Sequence, residues 1–272
     1  MSEALPSISN RSLSSYSQAV LDERTGGNAH YLKAVRFEHV DHTELTAIKL
    51  DSTDSLKRGG GALRKNTDKN DMSYNSLKKS QQRAKKEVRH KCLSINASTM
   101  ITTTFKENIT DFSDAWGVLK YFIKLVRKFY KDFQFVCVPE LQKRGAVHFH
   151  IACSGHFSYN FLRRLWRKAA GYRGGNIDVS HHKKNGLKRS PIAISKYISK
   201  YISKTDSVSF NKKRYSSSRG IFKPEPMRGW LPMCGGAVVY FMTSLVEQMS
   251  HNPVSDIFES DDGRYPFIFV ST

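Results

Sequence analysis

The sequence predicts an α+β fold in which helices pack on an antiparallel sheet, and three observations support this prediction. From residue 100 onwards, β-branched or alternating segments are followed by segments with apolar residues at helical spacing. Two of the predicted strands flank a short turn that ends in glycine, which is typical of an antiparallel hairpin. Hydrophobic residues make up 39% of the 272 residues, so a packed core can form.

Eight elements follow from these patterns. They are strand 100–105, helix 111–133, strand 135–138, turn 142–145, strand 146–153, helix 157–170, strand 176–181 and helix 191–204. Helix 111–133 has one apolar face and can be capped by Asp111 or Ser113. Pro139 is expected to end the second strand, because proline cannot donate to a strand ladder.

The chain is divided into three segments by composition. Residues 1–75 are expected to be a largely flexible extension, since they are polar and contain a Gly59–Gly61 run, although 31–37 alternate like a strand. Residues 76–225 form the predicted globular domain with a leading basic helix. Residues 226–272 form an extension of unknown role.

The charge of the chain indicates a polyanionic partner. Lys and Arg number 44 against 24 Asp and Glu, which gives a formal net charge of +20. Clustered cations displace counterions from phosphates, so a nucleic acid is the expected partner, and a basic surface that serves only solubility is the alternative. Two predicted helices supply the candidate DNA-binding side chains, which are Lys78, Lys79, Arg83, Lys85 and Lys86 on the first and Arg163, Arg164 and Arg167 on the second.

Compartment and membrane contact are constrained by what the sequence lacks. Residues 1–11 contain no secretory signal, and the four cysteines lack CxxC spacing, so reduced thiols in a cytoplasm fit best. The apolar stretch 230–246 is short and interrupted by Pro232, Gly235 and Gly236. We expect a buried strand or helix there and no membrane partner.

A pair of histidines lies in the third predicted strand. Side chains alternate across a strand, so His148 and His150 share one face while Val147, Phe149 and Ile151 share the other. Two imidazoles on one face form half of a metal site, and Glu140 on the neighbouring strand can add a carboxylate for a divalent ion such as Mg or Mn. Glu140 could equally pair with Lys143 or Arg144 across the turn. His181 and His182 are loop residues that could also approach.

The helix 191–204 carries a four-residue repeat, Ile-Ser-Lys-Tyr. On a helix this period stacks Ile194, Ile198 and Ile202 into an apolar stripe, with Tyr197 and Tyr201 beside it. A third stripe is formed by lysines, which include Lys200 and Lys204. We expect the isoleucines to be buried and both phenols to lie at the rim, next to ammonium groups. A phenol can attack a phosphodiester when a metal withdraws charge from the phosphate.

These two motifs together resemble the rolling-circle replication initiators of the HUH superfamily, in particular the gene-A and gene-II types of phage. His148-Phe149-His150 resembles the HUH motif, and Tyr197-Ile-Ser-Lys200-Tyr201-Ile-Ser-Lys204 resembles the doubled Tyr-x-x-Lys motif. Arg144-Gly145 and Tyr215-Ser-Ser-Ser-Arg219-Gly220 also fit, and the likeness covers roughly residues 76–225.

The resemblance implies an HUH endonuclease with a ferredoxin-like core. It implies that His148 and His150 bind a divalent metal ion with Glu140, that Tyr197 and Tyr201 are nucleophiles, and that Lys200 and Lys204 position the phosphate. A nick would leave a 5′ phosphotyrosine and a free 3′ hydroxyl that primes a host DNA polymerase. No GxxxxGK[ST] motif is present in the sequence, so strand separation would need a host helicase.

Three alternatives stay open at this level. A relaxase or single-strand transposase would use the same chemistry, a non-enzymatic protein would bind DNA or RNA through its basic helices alone, and a nuclease could use water as its nucleophile. The expected partner is single-stranded or origin DNA, and the expected location is the cytoplasm, which is the bacterial host cytoplasm if the protein is phage-encoded.

Overall fold

The structure is a computed structural model that describes residues 30–49, 74–142, 144–180, 190–204, 214–231, 236–260 and 267–272. Several predicted site residues lie outside what it describes, namely His181, His182 and the side chains of Lys78, Lys79 and Lys204. The chain divides into two compact units, Thr67–Lys223 and the pair of segments Met1–Asn66 and Pro224–Thr272. The boundaries at residues 75 and 225 stay a prediction.

The described residues form antiparallel sheets and helices, which confirms the predicted α+β class. In chain order the elements are β1 (His30–Phe37), β2 (His42–Lys49), α1 (Tyr74–Ser94), β3 (Thr99–Phe105), α2 (Phe112–Phe129), β4 (Phe135–Leu141), β5 (Val147–Cys153), α3 (Tyr159–Ala170), β6 (Gly174–Ser180), α4 (Pro191–Ser199), α5 (Tyr201–Lys204), β7 (Ser216–Ser217), β8 (Met227–Leu231), α6 (Gly236–Met249), β9 (Asp256–Ser260) and β10 (Phe267–Ser271).

One unit combines strands from both ends of the chain. Its described strands form a sheet in the order β8-β1-β2-β10-β9, and α6 packs on β2 and β10. Leu32, Leu45, Phe241 and Val270 are among the buried residues of its core. The apolar stretch 230–246 is thus divided between β8 and α6, and no helix among the described residues is long and apolar enough to cross a membrane.

The other unit holds the predicted site residues. Its described strands form a sheet in the order β6-β3-β5-β4-β7, with helices on both faces. On one face, here called the core face, Ile101, Phe149 and Ile151 pack among the residues of α2 and α3. On the opposite face, here called the tyrosine face, Val138 and Ala152 pack among residues of α1, α4 and α5.

The prediction that Pro139 ends a strand is wrong, because β4 continues to Leu141. Pro139 pairs with Phe149, whereas β7 pairs only with Val136 and Cys137 among the described residues. The edge of β4 beyond Cys137 has no ladder partner in the part of the chain that the structure describes. A residue without a backbone N–H therefore costs no hydrogen bond there.

The prediction of a single helix over 191–204 also needs correction, because α4 ends at Ser199 and α5 begins at Tyr201. At the junction the Lys200 N–H donates to the carbonyl of Tyr197, 3.3 Å away, which is the tighter spacing of a 3-10 turn. The hydroxyl of Ser199 donates to the carbonyl of Lys196, and such side-chain bonds compete with the regular helical pattern.

Candidate active site

The hairpin between β4 and β5 places Glu140 beside the two histidines. Glu140 is the register partner of His148, one residue pair from the point where Gln142 to Gly145 make the turn. Gly145 has a φ of 83°, a left-handed conformation that glycine adopts without strain. The predicted turn and hairpin are confirmed, and the alternation of β5 brings Glu140, His148 and His150 to the tyrosine face.

His150 is held by polar contacts on both sides of its ring. Its Nε2 lies 2.7 Å from Oε2 of Glu140, and its Nδ1 lies 3.3 Å from Oγ1 of Thr102. The side chain is 5% exposed, so these contacts form away from bulk water and orient the ring firmly. Thr102 is missing from the predicted site, since its contact depends on the register Thr102↔His150, which no sequence pattern reveals.

His148 is buried but differently placed. Its Nε2 is inaccessible to solvent and has no hydrogen-bond partner among the described residues. Burial lowers the pKa of His148, the nearby His150 and Arg144 lower it further, and Glu140 opposes them. A histidine with a lowered pKa keeps its lone pair at neutral pH, which is the form that ligates a metal. A buried nitrogen without a partner is costly and suggests a missing ligand.

The tyrosine helix is anchored at its start and along one stripe. Ser190 caps α4 through a hydrogen bond from the N–H of Ala193 to its Oγ, 3.1 Å long, and Pro191 follows in the first turn. Ile194, Ile198 and Ile202 are buried in the cluster on the tyrosine face, as predicted. This anchoring fixes which way the neighbouring tyrosine stripe points.

The phenols and the histidines meet on this face. The ring of Tyr201 stacks on the ring of His150, with centroids 3.7 Å apart and planes inclined by 15°. The hydroxyl of Tyr201 donates to the hydroxyl oxygen of Tyr197 across 2.6 Å. The two tyrosines differ in access, because Tyr197 is 39% exposed and Tyr201 only 7%. The expectation that both phenols lie at the rim is therefore wrong for Tyr201, whose ring is covered by His150.

The donor types fit a divalent metal ion, but they do not converge as a ready site. Two imidazoles and a carboxylate suit such an ion, and Nε2 of His148 offers a nitrogen with no hydrogen-bond partner among the described residues. However, the Nε2 of His150 is already hydrogen-bonded to Glu140. Within the described ranges, no group of three or more His, Cys, Asp or Glu side chains is placed to hold a metal. Glu140 pairs with His150, whereas the guanidinium of Arg144 contacts Gln142 and Phe105.

The predicted DNA-binding cations fall on two different faces. Arg83, Lys85 and Lys86 belong to α1, which packs in the same layer as the tyrosine helix. Arg163, Arg164 and Arg167 belong to α3, on the core face. Lys200 is exposed at the junction between α4 and α5. The structure therefore brings together the histidines, Glu140 and the tyrosines, but divides the predicted cations between the two sides of the sheet.

Comparison with known protein families gives one match. Residues 98–206 match a family of replication-associated proteins of the ORF2 type. The matched segment runs from β3 to α5 and contains Glu140, both histidines and both tyrosines. It supports a replication initiator, although it covers less than half of the chain. Comparison with curated proteins and with solved structures gives no match.

Proposed function

We propose that this protein nicks one DNA strand at a replication origin by attack of a tyrosine phenol, remains linked to the 5′ end, and later rejoins the strand. The observation that carries the proposal is the stacking of Tyr201 on His150 together with the hydrogen bond from Tyr201 to Tyr197. Residues that are distant in sequence, with complementary roles in one reaction, lie in contact on one face. The match to a replication-associated family supports the same interpretation.

The reaction balances without an energy source. A phenol oxygen of the protein attacks the phosphorus atom, a bond from phosphorus to tyrosine oxygen forms, and the bond to the 3′ oxygen breaks. The phenol gives up its proton, and the leaving 3′ oxygen gains one to become a hydroxyl. Because one phosphoester replaces another, attack by a 3′ hydroxyl on the phosphotyrosine reverses the step and reseals the strand.

Tyr197 is the first nucleophile in this proposal, since its side chain is accessible and that of Tyr201 is covered by His150. Donation from the hydroxyl of Tyr201 to the oxygen of Tyr197 stabilises negative charge as the phenol proton leaves. Tyr201 would act after the rings separate. Exposed Lys200 lies directly between the two tyrosines in sequence and is suited to contact a phosphate oxygen.

His148, His150 and Glu140 are the residues that would hold the divalent metal ion, Mg or Mn. When bound, such an ion withdraws charge from the phosphate oxygens and so favours attack by the phenol. The chain's own part is orientation, because Thr102 and Glu140 fix the plane of His150 and burial keeps His148 neutral. Binding of the ion by all three residues would have to break the hydrogen bond between His150 and Glu140.

The test is formation of a covalent protein–DNA complex with a pool of random single-stranded oligonucleotides in the presence of Mn or Mg. We expect a band that survives denaturation with the unaltered chain and with Tyr201→Phe, and none with the double variant Tyr197→Phe/Tyr201→Phe. Tyr130→Phe, a tyrosine packed on the core face, is the matched control and should react normally. Cleavage by the double variant would indicate water as nucleophile, and binding without any covalent product would indicate a non-enzymatic protein.

A further inference from the structure

A second charged cavity lies on the core face of the same unit, beside the edge strand β7. Its volume is about 490 Å³, and it lies between α2 and the segment 216–219. The cations that line it are Lys120, Lys124, Arg127 and Arg219, and its lining contains no Asp or Glu among the described residues. The tyrosines and histidines do not line it, so it is separate from the proposed active site.

The charge of this cavity is uncompensated. Lys120, Lys124 and Arg219 are exposed, and within the described ranges none of them forms an ion pair with a carboxylate. Four like charges around one concave surface repel one another, and an anion in the cavity relieves that repulsion. A merely solvated basic face would be expected to include acidic neighbours, as Glu87 provides for Lys91 and Lys223 on α1.

One wall of the cavity is held in a fixed shape. Arg127 donates to Oγ of Ser218 across 2.9 Å, and its guanidinium lies 5.5 Å from the ring centre of Phe135. Ser218 is buried, and its Oγ also accepts from the N–H of Phe135, while its own N–H donates to the carbonyl of Phe135. Arg127 thus has its direction set before any ligand arrives, which lowers the cost of binding.

The apolar part of the lining gives the ligand a second feature. Trp116 and Phe135 line the cavity together with the cations, and Trp116 is itself supported by Phe149, with ring centres 5.0 Å apart. Cations match a phosphate, and a supported aromatic surface matches the flat face of a base. A simple inorganic anion would use only the first of these features.

We propose that this cavity binds one nucleotide of a single DNA strand, with its phosphate against Lys120, Lys124 and Arg219 and its base on the apolar side. The inference rests on the proposed function in taking DNA as the partner. It gives a role to Ser216–Arg219, which belongs to a motif that the nicking reaction leaves unused. It also places a strand-holding site on the side of the sheet that bears Arg163, Arg164 and Arg167.

The test compares Lys120→Gln/Lys124→Gln and Arg219→Gln with the control Lys128→Gln, an exposed lysine of α2 that does not line the cavity. Binding of a fluorescent oligothymidylate is measured by anisotropy over a range of salt concentrations. Each phosphate that is no longer neutralised lowers the slope of log K against log salt by about 0.7 for a single strand, so the double variant should show a slope lower by about 1.4. The control should keep the slope of the unaltered chain, and all variants should melt at the same temperature.

Three results would overturn the inference. These are an unchanged slope in the cavity variants, an equal reduction in Lys128→Gln, and displacement of the oligonucleotide by thymidine monophosphate at equal concentration, which would assign the cavity to free nucleotides. The proposed function is judged separately by the covalent complex. Cavity variants that bind normally while Tyr197→Phe/Tyr201→Phe abolishes the covalent complex would leave the nicking proposal standing and remove this one.

Discussion

The two faces of the sheet β6-β3-β5-β4-β7 differ in what they bury. The core face buries large apolar side chains, among them Trp166, Phe122 and Phe149. The tyrosine face buries smaller apolar residues together with His148, His150 and Tyr201. Strand β5 contributes to both, because its side chains alternate. Stability and chemistry are thus assigned to opposite faces of one strand, and neighbouring substitutions should have different kinds of effect.

The largest effect is expected from Phe149→Ala on the core face. Removal of this fully buried ring leaves a cavity beside Phe105 and Trp116, and we expect the free energy of unfolding to fall by about 3–5 kcal/mol. Chemical denaturation measures the change. A decrease below about 1 kcal/mol would mean that the core face does not carry the stability of the unit.

His148→Ala, one position away, should act on the reaction instead. Its Nε2 has no hydrogen-bond partner among the described residues, so no hydrogen bond of that atom is removed. If it helps to hold charge near the phosphate, nicking should slow on the order of 10²–10³-fold. Covalent-complex formation gives the rate and anisotropy gives DNA affinity, which should stay within a factor of about two of normal. A fall in affinity in step with the rate would contradict the comparison between the faces.

A smaller, matched pair of effects concerns the helix caps. Ser190 caps the tyrosine helix and Ser158 caps α3 on the core face, each through its Oγ. Ser190→Ala and Ser158→Ala should each destabilise the protein by about 1 kcal/mol, which denaturant titration measures. Only Ser190→Ala should also slow nicking, since only α4 carries Tyr197. Equal slowing in both variants would point to general destabilisation.

The smallest effect is expected from Tyr215, which packs against the cluster on the tyrosine face. Burial raises the pKa of Tyr215, and the nearby Glu87 raises it further. The unfolded chain therefore loses this proton first, and stability falls as the pH rises above about 10.0, the ordinary value. Tyr215→Phe should reduce the fall in melting temperature between about pH 9 and 11, the range that brackets the ordinary tyrosine pKa. An identical alkaline profile would contradict the assignment.

Much of this unit could be predicted because its signals are local. The period of two in β5 places the histidines on one face, and the period of four places the isoleucines in the core. Register is not local, so neither the contact of Thr102 with His150 nor the burial of Tyr201 could be predicted from a sequence pattern. The pairing of β1 and β2 with β8 and β10 joins distant parts of the chain, and no motif indicates it. The strand through Pro139 depends on a short neighbouring strand.

The most direct measurement is mass spectrometry of the covalent complex. Trypsin is unsuitable, because cleavage after Lys196, Lys200 and Lys204 releases the same tetrapeptide, Tyr-Ile-Ser-Lys, from both tyrosines. A protease that leaves residues 191–204 intact, followed by fragmentation, separates the two. We predict a nucleotide attached through its 5′ phosphate to Tyr197 in the unaltered chain after a single cut. A nucleotide on a residue outside 191–204, or cleaved DNA with a free 5′ phosphate and no adduct, would contradict the account.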